Sequence, residues 1–102
     1  MDAFTVIADP SRRYILEQLR ANERSVAELV DASDMTQPTV SKHLKVLRDE
    51  GFVSSRIAAQ KRIYRIEPSG LREVYAWLEP YVDLWNRHLN ALERHLQQRE
   101  QK

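Results

Sequence analysis

Residues 35 to 52, Met-Thr-Gln-Pro-Thr-Val-Ser-Lys-His-Leu-Lys-Val-Leu-Arg-Asp-Glu-Gly-Phe, carry the marks of one amphipathic helix with both ends fixed. Thr36 supplies an N-cap hydroxyl, Pro38 falls in the first turn where a missing N–H costs little, and Gly51 offers the left-handed residue that stops a helix. At about 100° per residue, Val40, Leu44 and Leu47 gather on one side, while Lys42, Lys45 and the Pro38 position point the other way. One face therefore packs. The other is small, polar and basic, the kind of surface that a DNA major groove accepts.

The chain around this segment has 102 residues and is 42% apolar, enough for one small domain, taken as residues 1–102. It has no cysteine, which removes disulfides, thiolate metal sites and thiol switches. No apolar run approaches a bilayer's thickness and no basic leader opens the chain, so a cytoplasmic protein without a membrane partner is expected. Net charge is only +1, but it is unevenly spread. Residues 1–35 carry four Lys/Arg against seven Asp/Glu, residues 36–66 seven against two, and residues 67–102 five against six. A solvated charged face is the bland account of the basic middle third. Its confinement between two acidic segments fits a phosphate-binding footprint better.

Upstream, Phe4, Val6, Ile7 and Ala8 predict a short helix ended by Asp9-Pro10, where Asp9 can cap a second helix with proline at its first position. Ile15, Leu16 and Leu19 follow helical spacing, and Asn22 marks the end. Ser25-Val-Ala-Glu28 is a capping box opening a third helix. The four or five residues from Ala32 to Thr36 then match the corner of a helix-turn-helix. After Gly51, Phe52-Val-Ser-Ser-Arg-Ile and Arg62-Ile-Tyr-Arg-Ile alternate apolar with polar residues around Ala58-Ala59-Gln60-Lys61, which predicts a β-hairpin over 52–66. Without a glycine in the turn, the pattern leaves its register and its buried face open.

From Pro68 to Gln98 the pattern is helical again, with a break or bend expected at Glu79-Pro80, and Gln98 to Lys102 expected to fray. Leu71, Val74, Leu78, Tyr81, Trp85, Leu89, Leu92 and Leu96 recur every three or four residues. Such a stripe needs cover. A second copy is the economical source, with a helix folded back on its own domain as the alternative.

The order of elements, together with Asp9-Pro-Ser-Arg-Arg-Tyr-Ile-Leu and the run from Gln37 to Val53, closely resembles the ArsR/SmtB family over nearly the whole chain. That resemblance implies a mainly α fold with a small β-hairpin, the winged helix-turn-helix, dimerising through its N- and C-terminal helices. It further implies a homodimeric, sequence-specific transcriptional regulator of an inverted-repeat operator in double-stranded DNA, a repressor in the first place with activation left open, with residues 36–50 as recognition helix, 52–66 as wing and 68–98 as dimerisation helices. Phe4, Trp77, Tyr81, Trp85, Leu89, Leu92 and Leu96 are the candidate seam. The metal sensors of the family use cysteines before the turn, or Asp and His pairs on the last helix. Here Ser25-Val-Ala-Glu-Leu-Val stands at the first place, and Asp83, His88 and His95 do not reproduce the second. The tail looks like the metal-independent, SdpR-like branch, so no cofactor is expected and an effector is unassigned. A zinc site shared through His88 and His95 lacks a convincing third ligand.

In a helix-turn-helix the N-terminal half of the second helix reaches base edges. Gln37, Thr39, Ser41 and Lys42 are the candidates, since Gln pairs with adenine, Lys donates to guanine, and Thr offers a hydroxyl and a methyl. Thr39 and Ser41 serve equally well as ordinary first-turn residues. Lys45 and Arg48 suit phosphates, and His43 lies beside the packing face. In the wing, Arg56, Gln60, Lys61, Arg62 and Arg65 suit the backbone or the minor groove. Arg12 and Arg13 can reach flanking phosphates or pair with nearby acids. A different class, a winged-helix module whose Trp and Tyr stripe binds another protein, would leave the basic face incidental. An enzyme is not expected: the chain has two glycines, no phosphate loop and no nucleophile-base-acid set.

Overall fold

The computed structural model describes residues 1–100. Five α-helices, α1 (Ala3–Ala8), α2 (Pro10–Ala21), α3 (Val26–Asp31), α4 (Gln37–Asp49) and α5 (Arg72–Glu100), are joined by β1 (Arg24–Ser25), β2 (Val53–Ala58), β3 (Lys61–Ile66) and a short 3-10 helix at Pro68–Leu71. The chain forms two compact units, one from Met1 to Arg72 and one beginning at Glu73.

In the first unit, each helix start is capped by the residue its sequence offers. Asp2 accepts from the Thr5 N–H at 2.8 Å, and Asp9 accepts from the N–H groups of Ser11 and Arg12 at 2.8 and 3.2 Å. The Ser25–Glu28 capping box is reciprocal, at 3.0 and 3.2 Å. Burial follows the helical period: Val6, Ile15, Leu19, Leu29, Val40, Leu44 and Leu47 are all buried, joined by Phe52, Val53 and Tyr64 from the sheet region. Together these make one core under the helix-turn-helix and the hairpin.

The sheet is antiparallel in the order β1-β3-β2. Two-residue β1 has no alternating pattern of its own, so only its pairing of Arg24 with Tyr64 and Ser25 with Ile63 reveals it. The open register of the hairpin is settled by a two-residue turn at Ala59–Gln60, with Ala58 opposite Lys61 and Val53 opposite Ile66. Val53, Ser55 and Ile57 therefore share one face with Arg62, Tyr64 and Ile66.

In the second unit, α5 is one helix from Arg72 to Glu100, with Pro80 inside it. The break expected at Glu79-Pro80 does not occur. Proline deletes one i→i−4 bond and crowds one carbonyl, but a helix of 29 residues keeps the bonds on either side. The expected fraying of Gln98 to Lys102 falls partly outside the described residues, and helix continues through Glu100. Val74 of the stripe is buried, and farther along the stripe is open to solvent in this single copy: Tyr81, Trp85, Leu89, Leu92 and Leu96 are each 41 to 61% exposed. Trp77 and Tyr81, one turn apart, stack with ring centroids 4.9 Å apart. No helix is long and apolar enough to cross a membrane among the described residues.

Candidate nucleic-acid interface

The helix-turn-helix is built from α3, a five-residue turn and α4. Its corner is tied locally, with the Ser33 N–H and hydroxyl both donating to the Val30 carbonyl at 3.1 and 3.3 Å and the Met35 N–H donating to Ser33 Oγ at 3.2 Å. From outside the motif, the Tyr14 phenol of α2 donates to the Ala32 carbonyl, so the second helix of the chain braces the turn.

Helix α4 then presents two unlike faces. Val40, Leu44 and Leu47 are each 0% exposed, and Gln37, Thr39, Ser41, Lys42, Lys45 and Arg48 all lie on the exposed side. Thr36 does the capping: its Oγ1 accepts from the Thr39 N–H at 3.4 Å and its hydroxyl donates to Thr39 Oγ1 at 3.0 Å. Thr39 is thereby oriented, with its own hydroxyl proton still to give. Half-buried His43 stays beside the packing face, near enough to Asp9 for their charges to interact.

The end of α4 is a Schellman motif. Gly51 takes φ +81°, its N–H donates to the Arg48 carbonyl at 3.1 Å, and the Phe52 N–H reaches back to Leu47 at 2.8 Å, with Phe52 and Leu47 both buried. Phe52 is also tied forward, because its carbonyl accepts from the Glu67 N–H at 2.9 Å beyond the hairpin. Gly70 completes this corner: a Cβ there would stand 2.7 Å from the Gly51 carbonyl oxygen and 2.8 Å from Phe52 Cα. Recognition-helix end and wing base thus share one packed joint.

The cations divide into tied and untied. Lys45 pairs with Asp49 at 2.8 Å, one turn along α4, and that donated bond holds the Asp49 carboxyl below its ordinary pKa. Arg56 reaches Glu23, which precedes β1, at 2.7 Å. Arg65 sits 3.5 Å from Glu67 and donates to Ser54 Oγ at 3.0 Å, while the Ser54 hydroxyl donates to Glu67 at 2.7 Å. Arg62 leans along its face to Ser55 at 3.4 Å. Among the described residues, Lys42, Arg48, Lys61 and Arg62 have no carboxylate at ion-pair distance.

Arg12 and Arg13 turn inward onto the end of α1. Arg12 donates from Nε to the Val6 carbonyl at 2.8 Å and from Nη2 to Thr5 at 3.1 Å, and lies 3.7 Å from Asp9; Arg13 donates to Ile7 at 3.1 Å. They satisfy carbonyls that a six-residue helix ending before proline leaves open. At Asp9, burial works to raise the pKa, but N–H donors from Arg12 and Ser11 and the charges of His43 and Arg12 outweigh it, and the net shift is downward.

The alternating pattern does not single out Ile57, which the register places at the wing tip with 73% of its surface exposed. A glycine-free turn hid it. No group of three or more metal-ligating side chains comes together among the described residues.

A helix-turn-helix followed by a two-stranded wing on a three-stranded sheet defines a winged helix-turn-helix protein. The family model described as "Bacterial regulatory protein, arsR family" matches residues 9–55. The chain is 36% identical over 89 residues to the HTH-type transcriptional regulator Rv2034 of Mycobacterium tuberculosis (strain ATCC 25618 / H37Rv), covering 87% of this chain and 80% of that one. It is 23% identical over 82 residues to the transcriptional repressor SdpR of Bacillus subtilis (strain 168), covering 80% and 91%. Among solved structures, a crystal structure described as a possible transcriptional regulator for arsenical resistance superposes with TM-score 0.72 at 31% identity, over 79% of this chain and 84% of that one. The homodimeric winged helix-turn-helix DNA-binding domain of Mb0332 from Mycobacterium bovis does so with TM-score 0.64 at 27% identity, over 79% and 75%. The chain belongs to the ArsR family of transcriptional regulators. It is a DNA-binding regulator, not an enzyme.

Proposed function

We propose that two copies of this chain bind one inverted-repeat operator in double-stranded DNA and repress the promoter it overlaps, acting in the cytoplasm. Residues 1–102 serve as one functional domain. Gln37, Thr39, Ser41 and Lys42 approach base edges, Lys45 and Arg48 hold phosphates, and Arg56, Lys61 and Arg62 extend the contact along the wing. The observation that carries this reading is the division of α4: three fully buried apolar residues on one face, and on the other an exposed set of short polar side chains followed by cations.

A single copy makes few base contacts, so the reading needs a dimer. Two recognition helices about 34 Å apart would meet successive major grooves. The exposed stripe of α5, with Trp77, Tyr81, Trp85, Leu89, Leu92 and Leu96, is the proposed seam, and Phe4 on α1 is a further proposed contact with the second copy. Support comes from the length of that apolar stripe and from the homodimeric state of the Mycobacterium bovis domain. The test is selection of duplexes from a random-sequence library by the purified protein at physiological salt, followed by footprinting. The expected result is a two-fold symmetric site with half-sites one helical turn apart, and loss of sequence preference in Lys42→Ala. Recovery of no common sequence, or an asymmetric single site, overturns the reading.

A further inference from the structure

We propose that Ile57 is an apolar minor-groove contact of the wing, which makes the DNA flanking each half-site a source of sequence preference; this rests on the DNA-binding reading above. At 73%, Ile57 exceeds Tyr75 (65%), Met1 (63%) and Trp85 (61%) in exposure among the large apolar side chains. Its position is the reason. It shares a face with Val53 and Tyr64, which are 2% and 8% exposed, so the face that forms core at the base of the hairpin overhangs that core at the tip.

The surroundings of Ile57 indicate what covers it. Its cross-strand partner is Arg62, whose guanidinium leans away to Ser55, and the tip from Ser55 to Arg62 carries Arg56, Lys61 and Arg62 with no carboxylate of its own. Arg56 points from the other face to Glu23. A single apolar side chain on a tip whose charged residues are all cations is too small for a protein interface by itself, which needs roughly 800 Å² per partner. It suits a narrow, electronegative cleft with an apolar-tolerant floor. The minor groove is about 6 Å wide, too narrow for the paired strands themselves, so what can enter it is a side chain projecting from the wing tip, as Ile57 does.

Chemistry then fixes the preference. A·T pairs present only acceptors in the minor groove, and G·C adds a protruding N2 amino group on the floor. An isoleucine lying there favours flanks without that amino group, as apolar wedges of minor-groove proteins do.

The experiment uses the full chain and a duplex recovered by the selection above, remade with the wing-protected flank carrying A·T, inosine·C or 2,6-diaminopurine·T. The last adds the minor-groove amino group and leaves the major-groove pattern of A·T in place. Wild type should bind the A·T and inosine·C flanks alike and the diaminopurine flank about tenfold more weakly, the scale of one lost base-pair preference. Ile57→Ser should bind all three within twofold of one another with an unchanged salt slope, since no phosphate contact is removed. Ile57→Val should keep the discrimination. The inference is overturned if Ile57→Ser discriminates as wild type does, or if it alters the oligomeric state at unchanged affinity, which would seat Ile57 against protein. Failure of the DNA reading itself looks different, because no common duplex is then recovered.

Discussion

The tip of the wing is held in a conformation its residues do not favour, and relaxing it should stabilise the protein measurably. Ala59 and Gln60 have φ +50° and +68° in a two-residue loop, the type I′ arrangement that hairpins prefer and that Asn-Gly adopts most readily. A side chain with a Cβ pays about 1–2 kcal/mol for the left-handed region. Asparagine at position 59 recovers part of that cost. Glycine at position 60 recovers about 1 kcal/mol and returns roughly half of it through the greater freedom of the unfolded chain. The net expectation for Ala59→Asn with Gln60→Gly is about 1 kcal/mol, or a rise of roughly 4–8 °C in Tm for a domain of this size. Chemical denaturation at one fixed protein concentration should move the midpoint and leave the slope unchanged. Ala59→Val should move it the other way, because a β-branched residue tolerates positive φ worst. A double variant no more stable than wild type would refute the turn geometry, and with it the register that exposes Ile57.

Three further outcomes follow from the same structure. Gly70→Ala should cost about 1–3 kcal/mol, because the new methyl would press on the Gly51 and Phe52 backbone at 2.7 and 2.8 Å, whereas Gly51→Ala meets no atom and costs about 1 kcal/mol for its φ alone; equal melting temperatures for the two would argue against the tight joint. If the Glu23 pair holds Arg56 back from phosphate, Glu23→Gln should raise affinity for random duplex two- to threefold and steepen the salt slope by up to about 0.9 per copy, and an unchanged slope would show that this pair does not limit the Arg56 contact. Asp2, Asp9, Glu28 and Asp49 are all held below their ordinary pKa values, mainly by donated hydrogen bonds, with burial opposing these at Asp9. A carboxylate with a depressed folded pKa adds stability that is complete above its unfolded value and lost as pH falls through the folded one. Urea midpoints should therefore be flat in these four groups above pH 6 and fall below about pH 4; stability that rises on acidification there would contradict the caps.

The recognition helix was legible in the sequence because its signals are local: Thr36, Pro38 and Gly51 act on backbone within a turn of themselves, and Val40, Leu44 and Leu47 need only the helical period. Long-range signals were not. The hairpin register depends on two residues adopting positive φ without a glycine or asparagine to announce it, so the exposure of Ile57 stayed hidden. Strand β1 exists only because β3 passes beside it. For Arg12 and Arg13 the sequence leaves flanking phosphates and nearby acids open; Arg12 does lie near Asp9, but α1 is so short that its carbonyls take both guanidinium groups. Pro80 reads as a break or a bend, and the helix runs through it unbroken.

The two glycines of the chain meet at one joint, and this constrains how DNA affinity can be regulated. Phe52 donates back to the last turn of α4 and accepts from Glu67 after β3, while Gly70 leaves no room between itself and that backbone. Sliding the wing against α4 would break the backbone hydrogen bond from Phe52 to Leu47 and open space around a side chain that is 2% exposed. Helix and wing therefore move as one piece. If the protein binds an operator as proposed, a signal that weakens that binding would have to change how one copy's piece is spaced from its partner's, not how α4 is set against its own wing. A mutation loosening the joint, such as Gly70→Ala, should accordingly lower affinity for single half-sites as well as for the full operator, whereas disrupting the α5 seam through Trp85→Glu should spare half-site binding and abolish only the gain from the second.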